Sequence, residues 1–276
     1  MHSGFLQTIA SDFSPESMSK LFDIPTCIPD LTGCIVKCEH AEATNSHKYH
    51  ICKCTWDRPN FSPVTVAVKV TRVLQPKNIL DLTGRYDELL QEIRVWGRLQ
   101  NEHILPVLGY VCGHGHLPSL VFPWMENGNL TNFLREHESL ERGERFRLLQ
   151  DIALALQYLH AIAVVHGDLT GDNILVDSYG RAFVTGVGLS KRLDEIESRS
   201  EYGDSIRSAT IRWIAPELVD DEEETFPTSK SDVWSFGCNM IHSHLRCSLG
   251  SCPGGPFDLT TFPFNYLQKR CPHYHQ

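Results

Sequence analysis

Two polar side chains that could carry out group transfer lie five residues apart in residues 164–176, which read V-V-H-G-D-L-T-G-D-N-I-L-V. An aspartate placed like Asp168 can accept the proton of an attacking hydroxyl, and an amide placed like Asn173 can reach a magnesium ion. Apolar residues on both sides indicate a short polar loop between buried segments. The alternative is an ordinary polar turn between two strands, so other stretches of the chain must decide.

A second pair of charges combines a predicted strand with a predicted helix. Residues 64–70, V-T-V-A-V-K-V, form a short apolar run that includes Lys69 and predicts a buried strand. The helix is predicted by apolar residues at helical spacing: Leu82, Tyr86, Leu89, Ile93 and Trp96. Glu92 lies at the edge of that apolar face. Considered alone, Lys69 and Glu92 would each be read as a solvated charge.

The overall composition excludes several classes of protein. The chain has 276 residues, of which 41% are hydrophobic and 21% charged, and this is enough for two lobes. A net charge of -9 argues against a surface for nucleic acid or anionic lipid, which need dense positive charge. No apolar run is long enough to span a membrane, and charged residues interrupt the first thirty positions. We therefore expect a cytoplasmic protein that binds neither nucleic acid nor a membrane.

Ten cysteines leave zinc binding open as an alternative to reduced cysteines on strands. A first group lies near the start of the chain: Cys34, Cys38, Cys52, Cys54, His40, His47 and His50. A second group lies near the end: His242, His244, Cys247 and Cys252. The first group offers Cys-x-x-x-Cys and Cys-x-Cys, not the usual Cys-x-x-Cys of a zinc knuckle, and we favour no zinc.

The remaining pattern predicts further strands and helices in a definite order. Strands are predicted in a hairpin over residues 31–37 and 49–56 and in a second hairpin over 174–176 and 182–185. Helices are predicted over residues 85–99, over 129–137, and over a longer segment that ends near residue 161. The longer helix has apolar residues that should face inward: Phe146, Leu149, Ile152, Ala153, Leu156 and Leu159.

These motifs, in this order, resemble those of eukaryotic protein kinase domains. Residues 166–173 resemble the catalytic loop H-R-D-L-K-x-x-N, with Gly167 and Thr170 in place of the Arg and the Lys. Residues 64–70 resemble the V-A-I-K strand. Residues 206–218, I-R-S-A-T-I-R-W-I-A-P-E-L, and 231–238, S-D-V-W-S-F-G-C, are similar to later kinase motifs. The likeness covers roughly residues 31–240 and is to the Ser/Thr or tyrosine-kinase-like branch, including domains from fungal expansions.

The resemblance implies an α+β, two-lobed kinase-like fold. The small lobe, residues 31–124, should be mainly antiparallel β with one helix, and the large lobe, residues 125–240, mainly α and incomplete. A loosely ordered leader, residues 1–30, should precede them. A tail unlike a kinase and without helical periodicity, residues 241–276, should follow.

The resemblance also implies ATP, magnesium and transfer of phosphate to a protein hydroxyl. Asp168 would be the catalytic base and Asn173 a metal ligand, while Lys69 and Glu92 would position phosphates. Asp232 would bind the backbone of the catalytic loop, or else cap its own helix. The residues assigned to the adenine pocket are Ala67, Pro123, Met125 and Leu175.

Three departures from the family pattern put catalysis in doubt. Gly186 stands where D-F-G supplies the metal-binding Asp, and glycine offers no ligand. No glycine occurs between Gly33 and Gly84, where a phosphate-covering loop needs several, and Glu39 and Glu42 bring repulsive charge instead. Thr170 replaces the lysine of the catalytic loop.

We therefore hypothesise a pseudokinase-type domain that keeps the fold, interacts with a protein partner and binds ATP and magnesium weakly if at all. A second hypothesis is a weakly active Ser/Thr kinase that recruits metal through Asn173 and a carboxylate of Asp168 or Asp172. A third is a non-functional truncated product that does not fold stably.

Overall fold

The computed structural model describes residue 24 and residues 28–40, 49–72, 79–187, 213–218 and 226–249, with the side chains of 37–40, 79–83 and 244–249 left out. The chain divides into two compact units. The first contains residues 1–100 and 105–124, and the second contains 101–104 and 125–276. None of the helices in the described ranges combines the length and hydrophobicity that crossing a membrane requires.

The first unit is built on a five-stranded sheet in which all paired neighbours are antiparallel. The strand order is β1-β2-β3-β5-β4. The strands are β1 (Ile35–His40), β2 (Tyr49–Trp56), β3 (Val64–Thr71), β4 (Gly109–Val111) and β5 (Ser119–Pro123). One helix, α1 (Ile79–Trp96), belongs to the same unit.

Side-chain alternation along β3 separates the core of this unit from its functional face. Val66, Val68 and Val70 are fully buried on one face, in a cluster with residues from the neighbouring strands. Burial of each valine contributes roughly 2 kcal/mol. The residues between them, Ala67 and Lys69, are therefore directed to the opposite face of the sheet.

Helix α1 buries the stripe that its sequence predicts. Leu89, Ile93 and Trp96 are almost completely buried. The indole Nε1 of Trp96 donates to the carbonyl of Leu105 at 2.7 Å, and its ring lies 5.2 Å from the ring of Phe122. These contacts attach the end of α1 to the sheet.

The fold begins earlier than we expected, because the last residues of the leader are part of it. Ile28 is buried, and Asp30 forms a bridge with Tyr110 of β4. The N–H of Tyr110 donates to the carbonyl of Pro29 at 3.0 Å, and the N–H of Leu31 donates to the carbonyl of Tyr110 at 2.8 Å. Strand β4 is at the edge of the sheet, so its outer backbone groups were available to pair with this segment.

The second unit is mainly helical, with one two-stranded hairpin. Its helices are α2 (Leu130–Glu136), α3 (Arg142–Ala161) and α4 (Ser229–Leu249). The hairpin consists of β6 (Ile174–Val176) and β7 (Ala182–Val184). Single 3-10 turns occur at Gly171–Asn173 and Pro216–Leu218. This arrangement, together with the sheet and helix of the first unit, confirms the predicted α+β class.

The expected position of Phe146 on the inner face of α3 is wrong. Phe146 is 63% exposed, whereas its neighbour Arg145 is only 1% exposed. The buried stripe runs through Leu148, Leu149, Ile152, Ala155, Leu156 and Leu159. Arg145 lies three residues before Leu148 and four residues before Leu149. The helical period of the buried stripe therefore places the arginine inside.

The buried guanidinium of Arg145 is satisfied by main-chain carbonyl groups. Its Nε donates to Leu140 at 3.0 Å, and its Nη2 donates to Glu138 at 2.9 Å. Its Nη1 donates to the carbonyl of Ser243 on α4 at 2.6 Å. Arg145 therefore connects the start of α3 to the far part of α4.

Helix α4 extends into the tail, residues 241–276, which we expected to be unlike a kinase and to lack helical periodicity. The helix continues to Leu249, and Ser243 within this extension is completely buried. The residues after Met240 lack an apolar helical period, which is why the extension was not predicted. The contact with Arg145 stabilises it, and sequence periodicity does not reveal such a contact.

Replacement of Arg145 tests whether this junction stabilises the second unit. Arg145→Met keeps much of the apolar volume but leaves three carbonyl groups without their charged donor. We expect a loss of about 3 kcal/mol of unfolding free energy, measured as a lower urea midpoint. The control is Arg147→Met, because Arg147 is exposed on the same helix. Equal midpoints for the two variants would contradict the assigned role.

Candidate functional site

The ion pair between Lys69 and Glu92 belongs to the first unit and results from two periodicities. The alternation of β3 directs Lys69 away from the buried valines, and Glu92 follows Leu89 by one helical turn on α1. Lys69 Nζ lies 2.5 Å from Glu92 Oε1, and the two side chains are 14% and 8% exposed. The pair predicted from the sequence is thus present and largely shielded from water, which strengthens the attraction between its charges.

The ring of Tyr49 covers the same ammonium group. Lys69 Nζ lies 4.7 Å from the centroid of the Tyr49 ring. Ile51 of β2 is opposite Lys69, and Tyr49, two residues earlier, lies on the same face of the sheet. A cation–π contact of this kind contributes about 0.5–2 kcal/mol. Tyr49 was not identified from the sequence, because its relation to Lys69 depends on the register between β2 and β3.

The four residues assigned to an adenine pocket are distributed over both units. Ala67 is half-buried on β3, opposite Phe122 of β5. Pro123 is the last residue of β5, and Met125 follows it outside regular secondary structure. Leu175 is the middle residue of β6 and is half-buried. Their roles in nucleotide binding remain predictions.

The loop that contains Asp168 is held by the carboxylate of Asp232 on α4. Asp232 Oδ2 accepts the N–H of His166 at 2.8 Å, and Oδ1 accepts the N–H of the next residue at 2.8 Å. The Nε2 of His160 lies 2.8 Å from Oδ2 as well. Thr228 and Ser231, not Asp232, cap the helix, since the N–H of Thr228 donates to Ser231 Oγ at 2.9 Å. Asp232 is therefore an anchor for the loop.

The imidazole of His166 links the loop to the segment that follows β7. The N–H of Asp168 donates to His166 Nδ1 at 3.2 Å, so the proton of a neutral ring must be on Nε2. That nitrogen lies 2.9 Å from the carbonyl of Thr185, to which it donates. The backbone at Asp168 and the backbone next to Gly186 are thereby fixed relative to each other.

Asp168 and Asn173 are in direct contact. The Nδ2 of Asn173 donates to the carbonyl of Asp168 at 2.7 Å and to its carboxylate Oδ2 at 3.0 Å. Both amide protons of Asn173 are thus used inside the loop. The Thr185 N–H also donates to the carbonyl of Asn173 at 2.9 Å. The two residues that the sequence assigned to base and metal ligand bind each other in this structure.

Gly186 lies against the amide of Asn173 in a conformation that favours glycine. Its φ is +81°, in the left-handed region. A Cβ atom at this position would lie 3.2 Å from Asn173 Oδ1 and 3.3 Å from its Cγ. A side chain at position 186 would therefore be in tight contact with the amide, which would have to move by a few tenths of an ångström.

The oxygen atoms around this loop do not fit a resident magnesium ion. Magnesium requires several oxygen ligands in near-octahedral geometry, and carboxylates usually provide the negative charge. Gly186 supplies no oxygen, and the Asp168 carboxylate is already paired with the Asn173 amide. In the part of the chain that the structure describes, no cluster of three or more His, Cys, Asp or Glu side chains could hold a metal ion.

Asn239 is a further residue of this site that was not identified from the sequence. It is fully buried on α4, where its Nδ2 donates to the carbonyl of Leu169 at 3.0 Å. Its Oδ1 accepts the indole N–H of Trp213 at 3.2 Å. Asn239 lies seven residues after Asp232, on the same face of the helix. That spacing was the signal that could have identified it.

The cysteine-rich groups do not provide a zinc site among the described residues. Burial raises the pKa of the Cys52 and Cys112 thiols and so disfavours the thiolate that zinc binds. Cys54, buried on β2, is disulfide-bonded, which corrects the alternative of reduced cysteines at that position. Several members of the two groups lie outside the described side chains: Cys38, His40, His47, His244, Cys247 and Cys252.

Comparison with known proteins places these features in one family. The sequence model described as protein tyrosine and serine/threonine kinase matches residues 40–251. The matched range includes the Lys69–Glu92 ion pair of the first unit. It also includes the loop at Asp168, Gly186 and helix α4 of the second unit.

Relatives with curated descriptions match over a similar range. Ephrin type-A receptor 1 from Homo sapiens is 35% identical over 184 residues, 66% of this chain and 18% of that protein. Wall-associated receptor kinase-like 18 from Arabidopsis thaliana is 32% identical over 63% of this chain and 21% of that protein. Serine/threonine-protein kinase STE11 from Saccharomyces cerevisiae is 28% identical over 56% of this chain and 21% of that protein. The chain thus spans about a fifth of the length of these relatives.

The contact between position 186 and Asn173 can be tested with a matched pair of glycines. Gly180 has a φ of +75° but open space around its missing side chain, whereas Gly186 has a φ of +81° and the amide beside it. Gly180→Ala should cost about 1 kcal/mol from backbone strain alone. Gly186→Ala should cost about 1 kcal/mol more, because the amide must move. Urea midpoints measure both, and equal losses would show that the amide does not fill this space.

Proposed function

The chain belongs to the protein kinase family, and from that premise we propose that it is a pseudokinase-type interaction or regulatory domain with little or no phosphotransfer activity. One observation carries the proposal: the Asn173 amide contacts Asp168 and fills the space beside Gly186, where the family pattern has a metal-binding Asp. The family reaction would be ATP-dependent phosphorylation of a protein hydroxyl, here of Ser or Thr. A protein is therefore the expected partner or substrate.

Catalysis would be impaired for an electrostatic reason. A carboxylate at position 186 would help to hold the ion that neutralises the transferring phosphate. Loss of about 4 kcal/mol of transition-state stabilisation slows turnover roughly a thousandfold. Asp168 is retained as a proton acceptor, yet an acceptor alone does not neutralise the phosphate charge. Thr170, buried in place of the family lysine, cannot supply the missing charge either.

Residual nucleotide binding would depend on the first unit. The Lys69–Glu92 pair is formed without any ligand, so its cation is already positioned for phosphate oxygens. The lack of glycine between Gly33 and Gly84 would weaken nucleotide binding, because backbone N–H groups cannot approach phosphate as closely when every residue carries a Cβ atom. We propose weak nucleotide binding that does not depend on magnesium.

A weakly active Ser/Thr kinase is the alternative, and the intact loop favours it. Asp168 and Asn173 keep their relative positions, and Asp172 between them is exposed and could reach an ion after a rearrangement. The third hypothesis, a product that does not fold stably, is disfavoured by the buried cores of both units. A cytoplasmic location and the absence of nucleic-acid or membrane binding remain proposals based on charge and composition.

A phosphotransfer assay tests the proposed loss of catalysis. Radiolabelled ATP with magnesium or manganese and a general protein acceptor is compared for the wild type and Asp168→Asn. We expect equal incorporation, because the step that Asp168 would assist is already blocked by the missing metal ligand. Gly186→Asp should not restore activity, since its side chain meets the Asn173 amide. Incorporation by the wild type above that of Asp168→Asn would establish the active alternative.

A melting experiment tests nucleotide binding separately. ATP at millimolar concentration should raise the melting temperature by the same amount with EDTA as with magnesium, because ligand binding stabilises the native state. Lys69→Met should abolish the shift, whereas Lys53→Met on β2 is the control. A larger shift with magnesium favours the active enzyme, and no shift removes nucleotide binding. A broad, non-cooperative melt would instead support the unstable product.

A further inference from the structure

Two lysines of the first unit lie on the face of the sheet opposite the buried valines, and an aromatic ring covers each of them. Lys53 on β2 is paired with Ala67 on β3, so its side chain lies on the same face as that of Lys69. Lys53 Nζ lies 5.0 Å from the centroid of the Trp124 ring, and Lys69 Nζ lies 4.7 Å from that of the Tyr49 ring. Lys53 is nevertheless exposed, whereas the side chain of Lys69 is only 14% exposed. Access to the cation is therefore restricted at Lys69 and not at Lys53.

The ammonium group of Lys69 has neighbours on two sides within the chain. Glu92 accepts one of its three N–H groups, through an oxygen 2.5 Å from Nζ. The face of the Tyr49 ring takes up a second direction. A phosphate oxygen would need to come within about 2.8 Å of Nζ to accept a charge-assisted hydrogen bond. It would therefore compete with one of these two neighbours for the space beside the ammonium group.

Glu92 is the neighbour that is more costly to displace. The carboxylate balances the charge of Lys69, and the pair is largely shielded from water, so the attraction between the two charges is strong. Removing the ammonium group from Glu92 would leave a buried carboxylate without its partner. The Tyr49 ring is uncharged and loses only a cation–π contact when it leaves. A phosphate group that approaches Lys69 therefore displaces the ring.

The Tyr49 ring can turn away from Lys69 without disturbing the sheet. Tyr49 is the first residue of β2 and is paired with Thr71, so its ring reaches Lys69 diagonally across the two strands. A change of rotamer moves the ring and leaves the backbone pairing of β2 and β3 intact. The ring is thus a removable cover on a cation whose own position is fixed by Glu92.

We propose that Tyr49 determines ligand specificity in the first unit by restricting the access of phosphate groups to Lys69. Polyphosphate, free or as part of a nucleotide, binds to Lys69 only after the ring has turned away. This inference rests on the proposed weak nucleotide binding and gives a physical reason for its weakness.

The size of the effect follows from the contact that the phosphate replaces. The free energy of the cation–π contact enters the dissociation constant as a factor, because the contact is lost whenever phosphate binds. For contacts of ordinary strength this factor is roughly twofold to thirtyfold. Removal of the ring should tighten phosphate binding by the same factor.

Isothermal titration calorimetry of the whole chain with inorganic tripolyphosphate, in the presence of EDTA, tests this expectation. Tyr49→Leu should lower the dissociation constant by roughly twofold to thirtyfold relative to the wild type. Tyr49→Phe is the matched control, because it keeps a ring over the ammonium group and should bind as the wild type does. In a second series ATP replaces tripolyphosphate. A gain with both ligands supports the inference for nucleotides, and a gain with tripolyphosphate alone supports it for free polyphosphate.

The other outcomes of the titration separate this inference from the proposed function. Equal dissociation constants for Tyr49→Leu and the wild type would overturn the inference and leave weak nucleotide binding in place. The absence of binding in every variant would overturn both. A gain with ATP alone would show that Tyr49 acts on the nucleoside part, and an equal gain in Tyr49→Phe would show that the ring is not the obstacle. Either result contradicts the proposed role.

A double variant tests whether the gain depends on Lys69. Tyr49→Leu combined with Lys69→Met should bind tripolyphosphate no more tightly than Lys69→Met does, because the cation that the ring covered is no longer there. A gain of the same size without Lys69 would assign the effect of Tyr49 to another part of the chain and refute the inference.

Acylation of lysine measures the cover without any phosphate ligand. A limiting amount of acetic anhydride modifies accessible amines, and peptide mass spectrometry gives the rate at each lysine. The rate at Lys69 follows the population in which the ring is turned away, so Tyr49→Leu should raise it by the same factor as above and Tyr49→Phe should not. The exposed Lys53 is the internal reference and should react equally in all three proteins. An unchanged rate at Lys69 in Tyr49→Leu would show that the ring is not its cover.

Discussion

The buried carboxylate of Asp232 is the interaction on which the second unit depends. It accepts two backbone N–H groups of the loop at 2.8 Å each, and it sits on a helix whose other buried residues reach the same region. Backbone donors in a buried loop are costly to leave unpaired, so the position of His166 and Asp168 follows from the position of α4. Asn239, one of the other buried polar residues of α4, binds the same loop at the carbonyl of Leu169.

The loop at Asp168 is held in one conformation by hydrogen bonds among its own residues. Asp168, His166 and Asn173 are connected to each other and to the residue after β7 by hydrogen bonds that need no ligand. The same bonds bring the Asn173 amide against Gly186. The Lys69–Glu92 pair in the first unit is formed by separate contacts, so it does not depend on the hydrogen bonds of this loop.

Much of the fold could be predicted from the sequence, because the spacing of apolar residues within a strand or helix indicates its type and its limits. The boundaries of β2, the hairpin of β6 and β7, and the end of α3 at Ala161 agree with the sequence analysis. The strand and helix that carry Lys69 and Glu92 were predicted from their periods, and the pairing of the two residues was implied by the resemblance to kinases. The two errors have different origins. Phe146 was placed inside because it is apolar, although the period of α3 places Arg145 there, and the extension of α4 was missed because it is held by a distant arginine. Tyr49 was missed because strand register is a property of the folded sheet.

The junction of α3 and α4 is insensitive to acid because of the groups that Arg145 binds. The three acceptors of Arg145 are main-chain carbonyl groups, which do not titrate in the range in which proteins are handled. A junction between a cation and carboxylates would weaken as those carboxylates became protonated. Because acid neutralises none of the three acceptors, these hydrogen bonds persist when the pH falls. The far part of α4 is therefore attached to α3 by bonds whose strength depends on solvent access and temperature.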